Sequence, residues 1–299
     1  FPRRASPEWI TPFRPRATGE DVRGHLMAKA AVEMGVWVVE AMRQDVALAR
    51  LLGGSRTDIA TGISLGIQAS PELLVERARA ALTLGYRKVK IKIAPGKDVA
   101  FVRAAREALG ADAPLMADAN NAYQLADADL LMQLDDLGLM MIEQPLAWDD
   151  LVQHAALQQR LKTPICLDET ITSVERAQDM VTLDSGRIIN IKPGRVGGFA
   201  SSIAIHDYCA ANGIPVWCGG MLESGIGRAC NVALASLSNF TKPGDVSPSA
   251  RYWERDVVTP EWTMNGEGMV RVPLDRPGLG VEVDRGRIEN LTVKAMVLR

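Results

Sequence analysis

The chain has 299 residues, of which 47% are hydrophobic and 23% charged, and its formal net charge is −2. A balance so close to neutral argues against nucleic acid or an anionic membrane surface as partner, and no apolar run is long enough to span a bilayer. The length suits one large domain with a smaller appendage.

Residues 1–17 are rich in Pro and Arg and read as an irregular leading segment. The chain starts at Phe1 rather than Met, which reads as a piece of a longer protein, and it shows no signal peptide. From Thr18 to about Leu52 the apolar spacing is helical, and Gly53–Gly54 stop it. Beyond that point short β-rich runs alternate with helical stretches. The predicted strands are "IATGISLG", "KVKIKI", "APLMAD", "GLMMIEQ", "TPICLDE", "RIINIKP" and "IPVWCGG"; "SPELLVERARAALTLG" and "SVERAQDMVTLDSG" are among the helices between them. Such alternation predicts a parallel sheet. The cysteines (Cys166, Cys209, Cys218, Cys230) form no CxxC pair and read as reduced thiols packed in the core of a cytoplasmic protein.

The spacing is more informative than the alternation. Polar residues near the strand ends are Lys92, Asp118, Glu143, Asp168, Lys192 and Cys218, separated by 26, 25, 25, 24 and 26 positions. So even a repeat signals a series of βα units, and seven in a row favour a closed barrel over an open doubly wound sheet. The eighth strand is weak; "KPGDVS", around Asp245, is its best candidate. Residues from about 260 read as β-rich and outside the repeat, in a second small domain shared with the N-terminal segment.

In such a barrel the active site lies at the C-terminal ends of the strands. Asp118, Glu143 and Asp168 then end three adjacent strands. Any one of them alone reads more simply as a helix cap or a solvated loop acid. Three together supply an oxygen-only donor set suited to Mg²⁺ or Mn²⁺. Lys90 and Lys92 alternate with Val89, Ile91 and Ile93, so both ammonium groups share one strand face. A lysine at its reference pKa of about 10.4 is protonated near neutrality and is no base. A like charge beside it favours the neutral amine, and Lys90 supplies that charge to Lys92. Lys192, four strands away in a ring of eight, faces them across the mouth. A lysine base with a divalent cation is suited to removing a proton α to a carboxylate. A barrel that cradles a phosphate on "PGRVGG" and "CGGMLESG" is a rival reading, which the three carboxylates oppose by repulsion.

The stretches "KIKIAPG", "DANNAY", "IEQPL", "ICLDE", "NIKPGRVGG" and "WCGGMLESGIGR" resemble the enolase superfamily, muconate-lactonizing subgroup. The resemblance is strongest to the o-succinylbenzoate synthases and N-acylamino acid (N-succinylamino acid) racemases. It implies an α/β fold, a modified TIM barrel (β/α)7β with a partial α+β capping domain. The implied parts are residues 1–54 as a remnant of that cap, 55–258 as the barrel and 259–299 as a C-terminal segment packing with the cap. It implies Asp118, Glu143 and Asp168 as Mg²⁺ ligands, Lys92 and Lys192 as acid/base groups on opposite faces, and Lys90 as a helper contacting the substrate carboxylate. Asn120 and Glu169 would orient these groups, and Gly219, Gly220, Met221 and Glu223 would line the pocket. Arg195 is similar to the pattern in which racemase accompanies synthase activity. The implied substrate is a small carboxylate, the implied pathway menaquinone biosynthesis, and the implied assembly a homo-oligomer. Alternatives are a dipeptide epimerase of the same subgroup and a cap-deleted, non-catalytic relative.

Overall fold

The computed structural model describes residues 23–296; the Pro/Arg-rich stretch 1–17 and the start of the helical pattern at 18–22 lie outside the described residues. The remainder of that pattern forms two helices, α1 (Leu26–Arg43) and α2 (Leu48–Leu52), and Gly53 ends α2 at φ 87°, a left-handed value natural to glycine. The predicted strand "IATGISLG" is two strands, β1 (Asp58–Ala60) and β2 (Ile63–Leu65). The break falls at Gly62, where a Cβ would come within 2.6 Å of Lys88 Cε.

From β2 onward the repeat runs α3 (Pro71–Thr83), β3 (Val89–Lys92), α4 (Val99–Leu109), β4 (Leu115–Asp118), α5 (Ala128–Met132), β5 (Ile142–Glu143), α6 (Val152–Gln158), β6 (Ile165–Leu167), α7 (Val174–Leu183), β7 (Ile188–Ile191), α8 (Pro193–Val196), α9 (Phe199–Ala211), β8 (Val216–Cys218) and α10 (Gly225–Ala235). Local chemistry starts several of these helices. The Ser70 hydroxyl accepts from Leu73 N, with Pro71 at the first helical position, and Ser173 does the same for Arg176 N. Strands β2 to β8 form one parallel sheet in sequence order.

Two apolar layers result from the period of two. Residues pointing out of the sheet, such as Val89, Ile91, Leu115, Ala117, Ile165 and Ile189, join the large core under the helices. Residues pointing inward form a separate small cluster of Met116, Met141, Cys166, Ile188 and Trp217. That cluster is the floor of the barrel, and the charged residues sit one pleat above it on the same strands.

Among the described residues no regular eighth strand closes the ring. An irregular stretch around 239–246 does so with single hydrogen bonds: Gly62 N to Gly244 O at 2.7 Å and Gly244 N to Ala60 O at 3.0 Å on one side, Asp245 N to Cys218 O at 2.9 Å on the other. The C-terminal part adds β9 (Val258–Thr259), β10 (Met269–Arg271), β11 (Glu282–Val283) and α11 (Arg285–Leu291). β10 pairs antiparallel with β1, β11 pairs with β9, and Leu48 N donates to Gly278 O at 2.8 Å. Helix α1 lies against the barrel's outer helices. Its Glu33 accepts from Phe199 N and Ala200 N, capping α9, while Trp37 meets Phe199 edge to face. All four cysteines are buried free thiols, and among the described residues no helix is long and apolar enough to cross a membrane.

His154 on α6 is fully buried and ties down the loop after β5. Its Nε2 accepts from Leu146 N at 3.2 Å, so Nδ1 carries the proton and donates to Asp150 O. Burial holds its pKa below the usual imidazole value. The unfolded chain therefore takes up a proton near pH 6.5 that the folded chain refuses until lower pH. Stability is complete above that value and falls as pH drops through the window beneath it. Urea titrations between pH 7 and pH 5 will show this loss, and His154→Gln will flatten the pH dependence; an unchanged slope would assign the loss to other groups.

Candidate active site

The sheet register puts the acids side by side. Lys92 stands opposite Asp118, and Asp118 opposite Glu143, at the ends of β3, β4 and β5. Asp168 and Lys192 follow β6 and β7 by one residue. Asp118, Glu143 and Asp168 are all buried, at 1% exposure or less. Three carboxylates cannot be buried as ions without partners, and each has them. Lys92 Nζ donates to Asp118 Oδ2 at 2.6 Å, and Lys192 Nζ to Asp168 Oδ2 at 2.7 Å. Asn190, inward-facing on β7 two residues before Lys192, donates from Nδ2 to Glu143 Oε1 at 2.7 Å.

Lys90 is placed deeper than a substrate-contacting helper would be. It is buried, and its ammonium reaches Asp245 Oδ2 at 2.6 Å, Glu143 Oε2 at 3.2 Å and Asp118 Oδ2 at 3.3 Å. Its three N–H groups are thus matched by three carboxylates below the mouth. Burial pushes its pKa down, but these carboxylates outweigh burial and raise it well above the ordinary lysine value. Lys90 is a fixed positive charge on the same strand face as Lys92.

The other predicted residues divide into two groups. Asn120 N donates to Asp118 Oδ1 at 3.1 Å, its side-chain oxygen accepts from Lys92 Nζ, and its Nδ2 donates to Glu169 Oε1 at 3.2 Å. Burial, and then neighbouring Asp168, push the Glu169 carboxyl above its usual value. Arg195 on α8 grips Asp168 Oδ1 and also donates to Asn190 O at 2.7 Å and Ile171 O at 3.1 Å. With Lys192 it outweighs burial and holds Asp168 below the usual carboxylate range. Gly219 and Gly220 lie against the site: a Cβ on Gly219 would meet Asn190 and Lys192, and one on Gly220 would meet Asp245 O at 2.6 Å. Met221 and Glu223 stand apart from the carboxylate row. Met221 is half exposed, and Glu223 accepts from Met221 N and Asn231 Nδ2, both at 2.8 Å, so its carboxylate shapes its own loop.

Three participants escaped the strand-end reasoning: Asn190, Lys88 and Asp245. Lys88 is fully buried, 3.5 Å from the Trp217 ring centroid and 3.1 Å from Asp245 Oδ1. The period of two in "RKVKIKI" and "INIK" runs back to Lys88 and Asn190, so the signal for both was present. Asp245 sits outside the repeat. Burial would raise its pKa, but Lys88 and Lys90 reverse that and hold it below the usual carboxylate range.

The donor chemistry fits a hard divalent cation: three buried carboxylates on neighbouring strands, with no thiolate or imidazole among them. Among the described residues no three acidic, His or Cys side chains converge on one point as they stand, because each acid is drawn onto a cationic side chain. Burial, then Asp118, and also Asp168, push the Glu143 carboxyl well above its ordinary value despite Lys90 and Lys192.

The family model "Enolase C-terminal domain-like" matches residues 73–287. An o-succinylbenzoate synthase from Geobacillus stearothermophilus is 53% identical over 276 residues, covering 92% of this chain and 73% of that protein. An N-succinylamino acid racemase from Amycolatopsis sp is 49% identical over 259 residues, 87% of this chain and 70% of the relative. A hydrophobic dipeptide epimerase from Enterococcus faecalis is more distant, at 33% over 221 residues. Among solved structures, an enolase superfamily member from Listeria innocua superposes with a TM-score of 0.86 at 45% identity, covering 90% of this chain and 72% of that one. The family model, the curated relatives and the fold show that this chain belongs to the enolase superfamily.

Proposed function

We propose that the chain removes the proton α to a substrate carboxylate, acting as an o-succinylbenzoate synthase and as an N-succinylamino acid racemase. The observation that carries this reading is the row of three buried carboxylates with a lysine at each end: Lys92 on Asp118 and Lys192 on Asp168. Asp118, Glu143 and Asp168 would hold Mg²⁺ or Mn²⁺, whose charge stabilises the negative charge that develops on the substrate carboxylate.

The chain's own groups handle the proton. Lys92, a quarter exposed, takes it from one face of the α carbon. Lys90 stays charged below it, held by Asp245, Glu143 and Asp118, and leaves the proton transfer to Lys92. Lys192, at 13% exposure, faces the reaction from the other side and keeps its position through Asp168, Arg195 and the close approach of Gly219. In dehydration Lys92 returns its proton to the departing hydroxyl, while Lys192 remains an ammonium beside the anionic carbon skeleton. In racemisation Lys192 delivers a proton to the opposite face. Both reactions use the same lysines, and the two kinds of curated relative at 49% and 53% identity support the pair rather than an epimerase of dipeptides. A non-catalytic relative would have no reason to retain so many buried ions, each costly to desolvate. The buried reduced thiols support a cytoplasmic setting.

The deciding experiment follows α-proton exchange in D₂O by NMR, using both enantiomers of an N-succinyl amino acid. Exchange from both hands that stops with a chelator and returns with Mg²⁺ is the expected outcome; no exchange from either hand with the cation supplied would sink the racemase reading. Lys92→Ala and Lys192→Ala should each abolish exchange from one enantiomer, a loss of about 10²- to 10⁴-fold. Gly219→Ala places a methyl 2.3 Å from Asn190 Oδ1 and 2.7 Å from Lys192 Cε. It should lower stability by about 1–3 kcal/mol in urea titration, and slow exchange most on the Lys192 side.

A further inference from the structure

Asp245 comes from the irregular stretch that closes the barrel, yet its carboxylate reaches the site. Oδ2 lies 2.6 Å from Lys90 Nζ and Oδ1 lies 3.1 Å from Lys88 Nζ. Lys90 also touches Glu143 Oε2 at 3.2 Å and Asp118 Oδ2 at 3.3 Å, so its shortest contact is to the carboxylate outside the row. The geometry creates a conflict. An ammonium held on Asp118 and Glu143 competes with any divalent cation those two acids would bind. Lys90 is buried and cannot swing out to solvent to give way. It can only be shared differently among its partners.

We propose that Asp245 is a positioning residue that anchors the Lys90 ammonium on the closing stretch, leaving Asp118 and Glu143 to a divalent cation. This inference rests on the cation site of the proposed function. The anchor is built to stay in place. Asp245 N donates to Cys218 O at 2.9 Å, and Asp245 O accepts from the buried Arg228 Nη1 at 3.1 Å. Gly220 leaves room for that carbonyl, which a Cβ would approach to 2.6 Å. Lys88, fixed over Trp217, holds the second carboxylate oxygen. Packing alone explains none of this, since apolar residues of similar volume would fill the space without the desolvation cost of three ions.

The test measures Mn²⁺ binding, reading free Mn²⁺ by electron paramagnetic resonance without substrate. Four versions of the full chain are compared: native, Asp245→Asn, Lys90→Met and the double variant. Asp245→Asn should weaken Mn²⁺ binding by about 10- to 100-fold, the scale seen when groups supporting metal ligands are removed. Lys90→Met should then strengthen binding far more in the Asp245→Asn background than in the native one, because only there does the ammonium fall fully on Asp118 and Glu143. Native affinity in Asp245→Asn, or equal effects of Lys90→Met in both backgrounds, would overturn the inference and leave the cation site standing. Failure of the native chain to bind Mn²⁺ would overturn both. If Asp245→Asn does not fold, Asp245→Asn with Lys88→Met removes the ion left without a partner, and the same comparison is made in that background.

Discussion

The site is organised by the burial of like charges on one face of β3. Lys88, Lys90 and Lys92 point the same way at alternate positions, roughly 7 Å apart by strand geometry, and two of the three are inaccessible to water. That arrangement stands only because carboxylates from other strands converge on it. Asp118, Glu143 and Asp245 surround Lys90, Asp118 also takes Lys92, and Asp245 takes Lys88. A parallel barrel is well suited to this, since every strand ends at the same face and each can contribute one inward side chain.

The same charges explain the surrounding apolar choices. The floor cluster of Met116, Met141, Cys166, Ile188 and Trp217 lies on the same inward faces and keeps water from below. Trp217 does more than fill space, since its ring face receives the Lys88 ammonium and its indole N–H donates to Cys166 Sγ at 3.2 Å. Apolar volume beneath ionic groups strengthens every pairing above it, because the local dielectric is low. The mouth is supported differently. There Asn120, Arg195 and Asn190 fix the acids through directed hydrogen bonds, while Gly219 leaves space for Asn190 and Lys192 and Gly220 for the Asp245 carbonyl.

Much of this was legible in the sequence because a barrel repeats. Near-constant spacing marked Lys92, Asp118, Glu143, Asp168 and Lys192, and each falls at a strand end or one residue past it. Asn190 and Lys88 obey the same period but lie a pleat deeper, where attention to strand ends alone does not reach. Asp245 was harder to see: "KPGDVS" has no apolar alternation, so nothing local shows that its carboxylate turns inward. Lys90 was placed on the right face, but its partner could not be read from one strand, since Asp245 comes from the opposite end of the repeat. The split of "IATGISLG" has a similar origin. β1 leaves the barrel to pair with β10, a segment more than two hundred residues away in the chain. Glu223 turned into its own loop because Asn231 and Met221 N offer donors that no periodicity reveals.

The closing stretch also bears on the order in which the molecule assembles. Neighbouring strands of the sheet are joined by one helical crossover each, so their pairing can spread step by step along the chain. Closure is different, because Ser247 must find Gly62 across a separation of 185 residues, and the entropy of that large loop is lost in one event. Until then Lys88 lacks its carboxylate and Lys90 lacks the nearest of its three, so both remain hydrated. An open sheet therefore cannot dry its interior, and the final drying of the barrel, the meeting of its two ends and the completion of its charge set form a single cooperative step.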